Sequence, residues 1–239
     1  MRYIYGPLKS RRLGFSLGIS LTPYKICSFD CVYCQLGKTT VKTMERKDYF
    51  NADEILAEMR SWFQYNPEAA KQLNFITFSG SGEPLLNKKI GELIYQIKKL
   101  SALPVAVITN GSLLSLPEVR QELLGADLVI PSLNAATAKA FEKIDRPDPS
   151  LKIEDVINGL VEFRKAFRGK IWLEVMLVKG INDDMSHIKK LKAAIEQIEP
   201  DQVQLNSPVR TTAEKDIEAV DKEILEKIKG MLGDRCEII

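Results

Sequence analysis

"LNFITFSGSGEPLLNKKIGELIYQIKKLSALPVAVITNG", residues 73–111, sets two apolar runs on either side of an amphipathic stretch. "LNFITFSG" (73–80) and "PVAVITNG" (104–111) are short, apolar and end in glycine, which reads as buried strands. Between them, "KKIGELIYQIKKL" (88–100) places Ile90, Leu93, Ile94, Ile97 and Leu100 at helical spacing. A strand, a helix and a strand in that order make one right-handed crossover of a parallel sheet.

The unit recurs in both directions along the chain. Upstream, "FSLGISL" (15–21) reads as a strand and "ADEILAEMRSWFQ" (52–64) as a helix with Asn51 at its N-cap. Downstream, "LPEVRQELL" (116–124) is a helix with Pro117 in its first turn, and "ADLVIPSLN" (126–134) a strand. "TAKAFEKI" (137–144) and "IEDVINGLVEFRKAF" (153–167) are helices split by "DRPDPS". "KIWLEVMLV" (170–178) and "DQVQLN" (201–206) are strands, each followed by a helix, over 184–198 and 217–232. Six βα units give an α/β class with a mainly parallel sheet, either open and doubly wound or an incomplete barrel. No repeat or flexible linker divides the chain, so residues 1–239 are expected to form one domain, with 1–14 as an N-terminal extension and 23–50 as a long loop segment. The strand ends "SGSGEP", "TNG", "SLN", "KGIND" and "NSPVR" are polar and share the carboxyl edge, where such sheets bind ligands.

Composition narrows the class. Hydrophobic residues make up 45% of the 239, enough for a substantial core, and charged residues 28%. No apolar run approaches a membrane span and the N-terminus lacks a signal-peptide core, so a cytoplasmic protein is expected. The net charge of +2 is unevenly spread. Residues 1–47 carry nine Lys or Arg against Asp30 and Glu45, which is either an ordinary solvated surface or a positive mouth for an anion. Without a long basic block, charge alone does not argue for nucleic acid. Arg11 and Arg12, before the first strand, are either a solvated turn or an anion clamp at the site opening.

The first strand runs into "KICSFDCVYCQLGK" (25–38), which holds three of the four cysteines. Clustered thiols in a reducing compartment point to metal or redox chemistry, not to a disulfide framework. Structural zinc wants four ligands, so the fourth would be Cys236, His187 or a carboxylate. An iron–sulfur cubane on three thiolates keeps one iron free for another molecule. Cys236 reads by default as a small apolar core residue and His187, in a lysine-rich helix, as a surface residue.

Cys27, Cys31 and Cys34 in C-x3-C-x2-C spacing, with Tyr33 before the last, resemble the signature of radical S-adenosylmethionine (radical SAM) enzymes. The resemblance implies one [4Fe–4S] cluster on those three cysteines. Its open iron would chelate S-adenosylmethionine, and an external flavodoxin- or ferredoxin-like reductant would supply one electron. A 5′-deoxyadenosyl radical would then abstract hydrogen from the substrate. "SGSGEP" (79–84) resembles the family's Gly-Gly-Glu-Pro element with Ser81 in place of the first glycine, which implies that Ser81, Gly82 and Glu83 meet the cofactor ammonium. By the same likeness Tyr33, Asn110, Ser132 and Asn134 line the cofactor site, the last two toward the ribose, and "VKGIND" (178–183) lies near adenine. Glu174, costly to bury unpaired, is expected to face the barrel interior and pair with the cofactor or Arg146, or to form a structural ion pair. Asn206 and Arg210 are expected at the same cavity.

The likeness follows almost the whole chain and selects an incomplete (βα)6 TIM-like barrel. "YGPLKSRRLGFSLGI", "CSFDCVYCQLG", "FSGSGEPLLN" and "QLNSPVR" look like a small Fe–S oxidoreductase subfamily broadly related to wyosine-type tRNA-modifying enzymes. Unlike the latter, this sequence has no cysteine before Cys27 for a second cluster and ends soon after the sixth helix, so one cluster and no added substrate domain are expected. The substrate class stays open among small molecule, peptide and RNA, with a monomer expected and no membrane partner. The competing class is a zinc-stapled nucleic-acid-binding module without catalysis.

Overall fold

The computed structural model describes residues 2–239. Its strands are β1 (Ile4–Ser10), β2 (Gly14–Ile19), β3 (Ile26–Cys27), β4 (Val41–Lys42), β5 (Phe75–Phe78), β6 (Val105–Thr109), β7 (Leu128–Pro131), β8 (Lys170–Met176), β9 (Gln202–Asn206) and β10 (Cys236–Ile238). The helices are α1 (Ala52–Tyr65), α2 (Pro67–Ala70), α3 (Ile90–Leu100), α4 (Pro117–Glu122), α5 (Ala138–Ile144), α6 (Ile153–Ala166), α7 (Met185–Ile198) and α8 (Lys222–Leu232). Eight strands form one sheet in the order β1-β2-β5-β6-β7-β8-β9-β10. All its pairings are parallel except β1 on β2. The sheet does not close, so the fold is an incomplete barrel: the six expected strands in sequence order, with one further strand at each edge.

Strand alternation explains the layers. Leu17, Ile76, Val107, Val129, Leu173 and Leu205 point outward and are fully buried under the helices. Each such side chain contributes about 1.5–3 kcal/mol by leaving water. The register places Ser16, Thr77, Ser132, Glu174, Gln204 and Asn206 on the opposite, inner face. A second, smaller apolar cluster of Leu13, Ala106, Leu128 and Ile130 with Phe75, Ile108 and Trp172 fills part of that concave face. Helix α1 starts where expected, with Asn51 Oδ1 accepting from Asp53 N at 2.8 Å.

Several readings change in three dimensions. Strand β1 escaped the sequence pattern because Gly6 and Pro7 interrupt its alternation, and an edge strand tolerates a missing N–H donor. Strand β10 is too short to show a period, and it buries Cys236 as an apolar core residue. The last helix begins at Lys222 rather than 217: Ala219 bridges Val178, and Val220 is buried there with its N–H on Ser207 Oγ at 2.8 Å. His187 is not on the surface. It is buried at the start of α7, and among the described residues neither ring nitrogen has a hydrogen-bond partner of good geometry, although the Asn134 backbone lies close enough to influence the ring. The nearby Asn134 carbonyl already accepts from Asn182 Nδ2 at 2.8 Å. Burial pushes the imidazole below its ordinary pKa.

Candidate functional site

The chain leaves β2 and enters a loop carrying Cys27, Cys31 and Cys34, all half-buried. Two backbone bonds fasten this loop to the one after β5: Lys25 N–H donates to the Ser81 carbonyl, and Glu83 N–H to the Ile26 carbonyl at 3.1 Å. Gly82 is required by that closeness, since a Cβ there would stand 2.0 Å from Ile26 O. Lys25 takes the left-handed conformation at φ +57°, unusual for a residue with a side chain, to make the turn into the first cysteine.

Polar groups converge on the sulfurs. Lys25 Nζ lies 3.1 Å from Cys34 Sγ, and Asn110 Nδ2 donates to Cys27 Sγ at 3.5 Å. Cys31 Sγ donates to Asp145 Oδ1 at 3.5 Å. Burial pushes the Cys27 thiol up to about 12, helped by Glu83 and Cys34, and holds Cys31 well above its ordinary value, with Asp145, Cys27 and Cys34 adding to the rise. The three cysteines are thus electrostatic neighbours, and thiolates here call for a cationic partner.

The acidic residues beneath the loop are sealed in. Glu83, expected at the cofactor, is 2% exposed. It accepts from Leu85 N at 3.0 Å, Thr109 Oγ1 at 2.6 Å and Asn110 N at 2.8 Å. Burial still pushes it up to about 7. Asn134 is committed likewise: Nδ2 donates to Tyr33 Oη at 2.7 Å and Asp145 Oδ1 at 2.8 Å, and Oδ1 accepts from Met176 N at 2.9 Å. It ties the cysteine loop to β8. Asp145 is 2% exposed and pushed up to about 6 by burial, against the lowering effect of its hydrogen bonds.

On the inner face, Glu174 pairs with Arg12 Nη1 at 2.9 Å and accepts from Asn206 Nδ2 at 2.9 Å. The expected partner Arg146 is elsewhere, at 2.5 Å from Glu214. Arg11 donates to Ile239 O at 2.9 Å and Arg12 reaches Glu174, so both cross from the β1–β2 turn toward the far edge of the open sheet. Among the described residues Asn206 Oδ1 is buried without a partner. Ser132 is half-buried and continues the inward face of Leu128 and Ile130. Arg210 turns to Gln35 of the cysteine loop at 2.8 Å. Sequence reasoning missed Lys25 and Asp145. Asp145 opens a proline-rich turn and had no signal to distinguish it from a solvated carboxylate.

Among the described residues no three His, Cys, Asp or Glu side chains gather closely enough to hold a single metal ion. A cubane bonds each thiolate to a different iron and spreads its ligands wider. Three soft donors, N–H groups directed at two of them and burial fit that group. Cys236 is no fourth ligand, because its register beside Val203 puts it about 10 Å along the strand from the carboxyl edge. Among the described residues no helix is long and apolar enough to cross a membrane.

Comparison with known proteins follows the same residues. The family model of the Radical SAM superfamily matches residues 21–191. A relative from Brachyspira hyodysenteriae, named GTPase Obg, is 43% identical over 98% of this chain, which spans 34% of its length. A UPF0026 protein of Methanocaldococcus jannaschii is 32% identical over 98% of this chain and 72% of its own. A radical SAM methyltransferase from Sphaerobacter thermophilus shares the fold, with a TM-score of 0.74 at 17% identity over 94% of this chain and 65% of that one.

Proposed function

The chain belongs to the Radical SAM superfamily, and on that premise we propose that it is an enzyme holding one [4Fe–4S] cluster and binding S-adenosylmethionine against it. When bound, the two would supply one-electron reductive chemistry on the cofactor sulfonium, with the electron from an external flavodoxin- or ferredoxin-like donor, and through it hydrogen abstraction from a substrate.

One observation carries the reading: three half-buried thiols at the carboxyl edge with Lys25 and Asn110 directed at their sulfurs. Cys27, Cys31 and Cys34 are assigned to three irons, and the fourth is left for an amino-acid chelate. The Ser81 and Gly82 backbone, pressed against the cysteine loop, is assigned to the cofactor ammonium. Ser132 on the inner face is assigned to the ribose. Glu83, Asn110, Tyr33 and Asn134 act at one remove, since their polar groups bond to one another's loops and hold the site in shape. Glu174 and Asn206, with Arg12, line the inner wall that cofactor and substrate would share, and the free Asn206 Oδ1 offers an acceptor there. A zinc staple is not needed to hold this fold, because the sheet and helices already enclose a continuous core.

The test is anaerobic reconstitution with iron and sulfide. About four irons per chain and, with reductant and S-adenosylmethionine, release of 5′-deoxyadenosine are expected. A colourless protein that takes up one zinc and leaves the cofactor intact would refute the reading.

A further inference from the structure

Lys25 is 3% exposed, yet among the described residues it has no carboxylate partner. Its Nζ contacts Cys34 Sγ at 3.1 Å. Taking an ammonium out of water is costly unless a negative group meets it, and a neutral thiol is a poor acceptor for it. The contact is no accident of a loose side chain. The Lys25 backbone is held on both sides, its N–H on Ser81 O and its carbonyl accepting from Thr40 N at 3.0 Å, in a left-handed turn.

We propose that Lys25 is a positioning residue that tunes the cluster's reduction potential, its positive charge against the Cys34 sulfur favouring the reduced state. The inference rests on the cluster assignment above. The step is a single-electron reduction by an external one-electron donor, in which no bond forms or breaks and no proton moves. The added electron makes the metal group one unit more negative. A fixed cation in contact with a ligand sulfur stabilises that product more than the reactant. A low-dielectric setting strengthens the effect, and Lys25 lies in one. Exposed lysines of the same loop are screened by water. Lys38, 67% exposed at its side chain and 3.5 Å from Glu214, is the natural control.

The experiment is a dithionite redox titration of the anaerobically reconstituted protein, followed by electron paramagnetic resonance, with iron counted in every sample. Lys25→Met keeps the stem and removes the charge. It is expected to retain its iron and to shift the reduction equilibrium at least tenfold toward the oxidised form, a fall of about 59 mV in midpoint. Lys25→Gln, which keeps an N–H donor, should fall less, and Lys38→Met should match the wild type. Iron-loaded Lys25 variants with an unchanged midpoint would overturn the proposal, as would loss of the iron from both, since a tuning residue leaves the ligand set intact. A wild-type protein that takes up no cluster would instead sink the cluster assignment itself.

Discussion

Replacing Asn134 with alanine separates two roles that one residue can play. A cofactor ligand can be lost without much effect on the protein alone, whereas a brace cannot. The side chain makes three hydrogen bonds, a buried one to the Asp145 carboxylate and half-buried ones to the Tyr33 hydroxyl and the Met176 N–H. The two neutral ones are worth about 1 kcal/mol each and the one to the carboxylate about 2 kcal/mol, so Asn134→Ala should cost about 4 kcal/mol. Part of this comes from leaving the half-buried Met176 N–H without its acceptor. Below pH 6 the loss should shrink, because Asp145 then carries a proton and needs its donor less. Urea unfolding of the cofactor-free protein measures it, as a lower midpoint at constant slope. Ser132→Ala, which touches only the open inner face, should change stability by less than about 0.5 kcal/mol. A loss under about 1 kcal/mol for Asn134→Ala, together with weakened S-adenosylmethionine binding, would refute the brace and restore the direct contact expected from resemblance.

Other outcomes follow from single contacts. Gly82→Ala should drive the loop after β5 off Ile26, 2.0 Å from the new Cβ, and lower iron uptake on reconstitution, seen as reduced visible absorbance per chain. Burial pushes the Asp145 carboxyl up to about 6, so its proton stabilises the folded state fully below pH 3.8 and that contribution disappears as pH rises through about 6. The neutral mimic Asp145→Asn should therefore stabilise the cofactor-free protein by about 3 kcal/mol at pH 8 and by much less near pH 4, read from urea midpoints at both pH values. His187→Leu removes two buried nitrogens without partners and should raise stability by about 1 kcal/mol in the same assay; a fall would show that the imidazole bonds to the Asn134 carbonyl after all.

Much of this protein was open to reading from local pattern. Period-2 and period-3.6 hydrophobicity located six strands and their helices because outer-face residues such as Ile76 and Leu173 must be apolar to lie under helices. The spacing of Cys27, Cys31 and Cys34, and a loop of Ser81, Gly82 and Glu83 after a strand, are contiguous features, so the family likeness was visible before any folding. Tertiary structure decided which polar residues bind one another. Glu83 and Asn134 look identical in sequence to exposed ligands, and only packing shows their groups occupied by Thr109, Asn110, Tyr33 and Met176. Arg12 lies 162 residues from Glu174 in the chain, and the open sheet brings them together across its inner face. Lys25 and Asp145 gained their meaning in the same way. Burial makes a charge costly and assigns it a partner, and burial depends on residues far away in sequence.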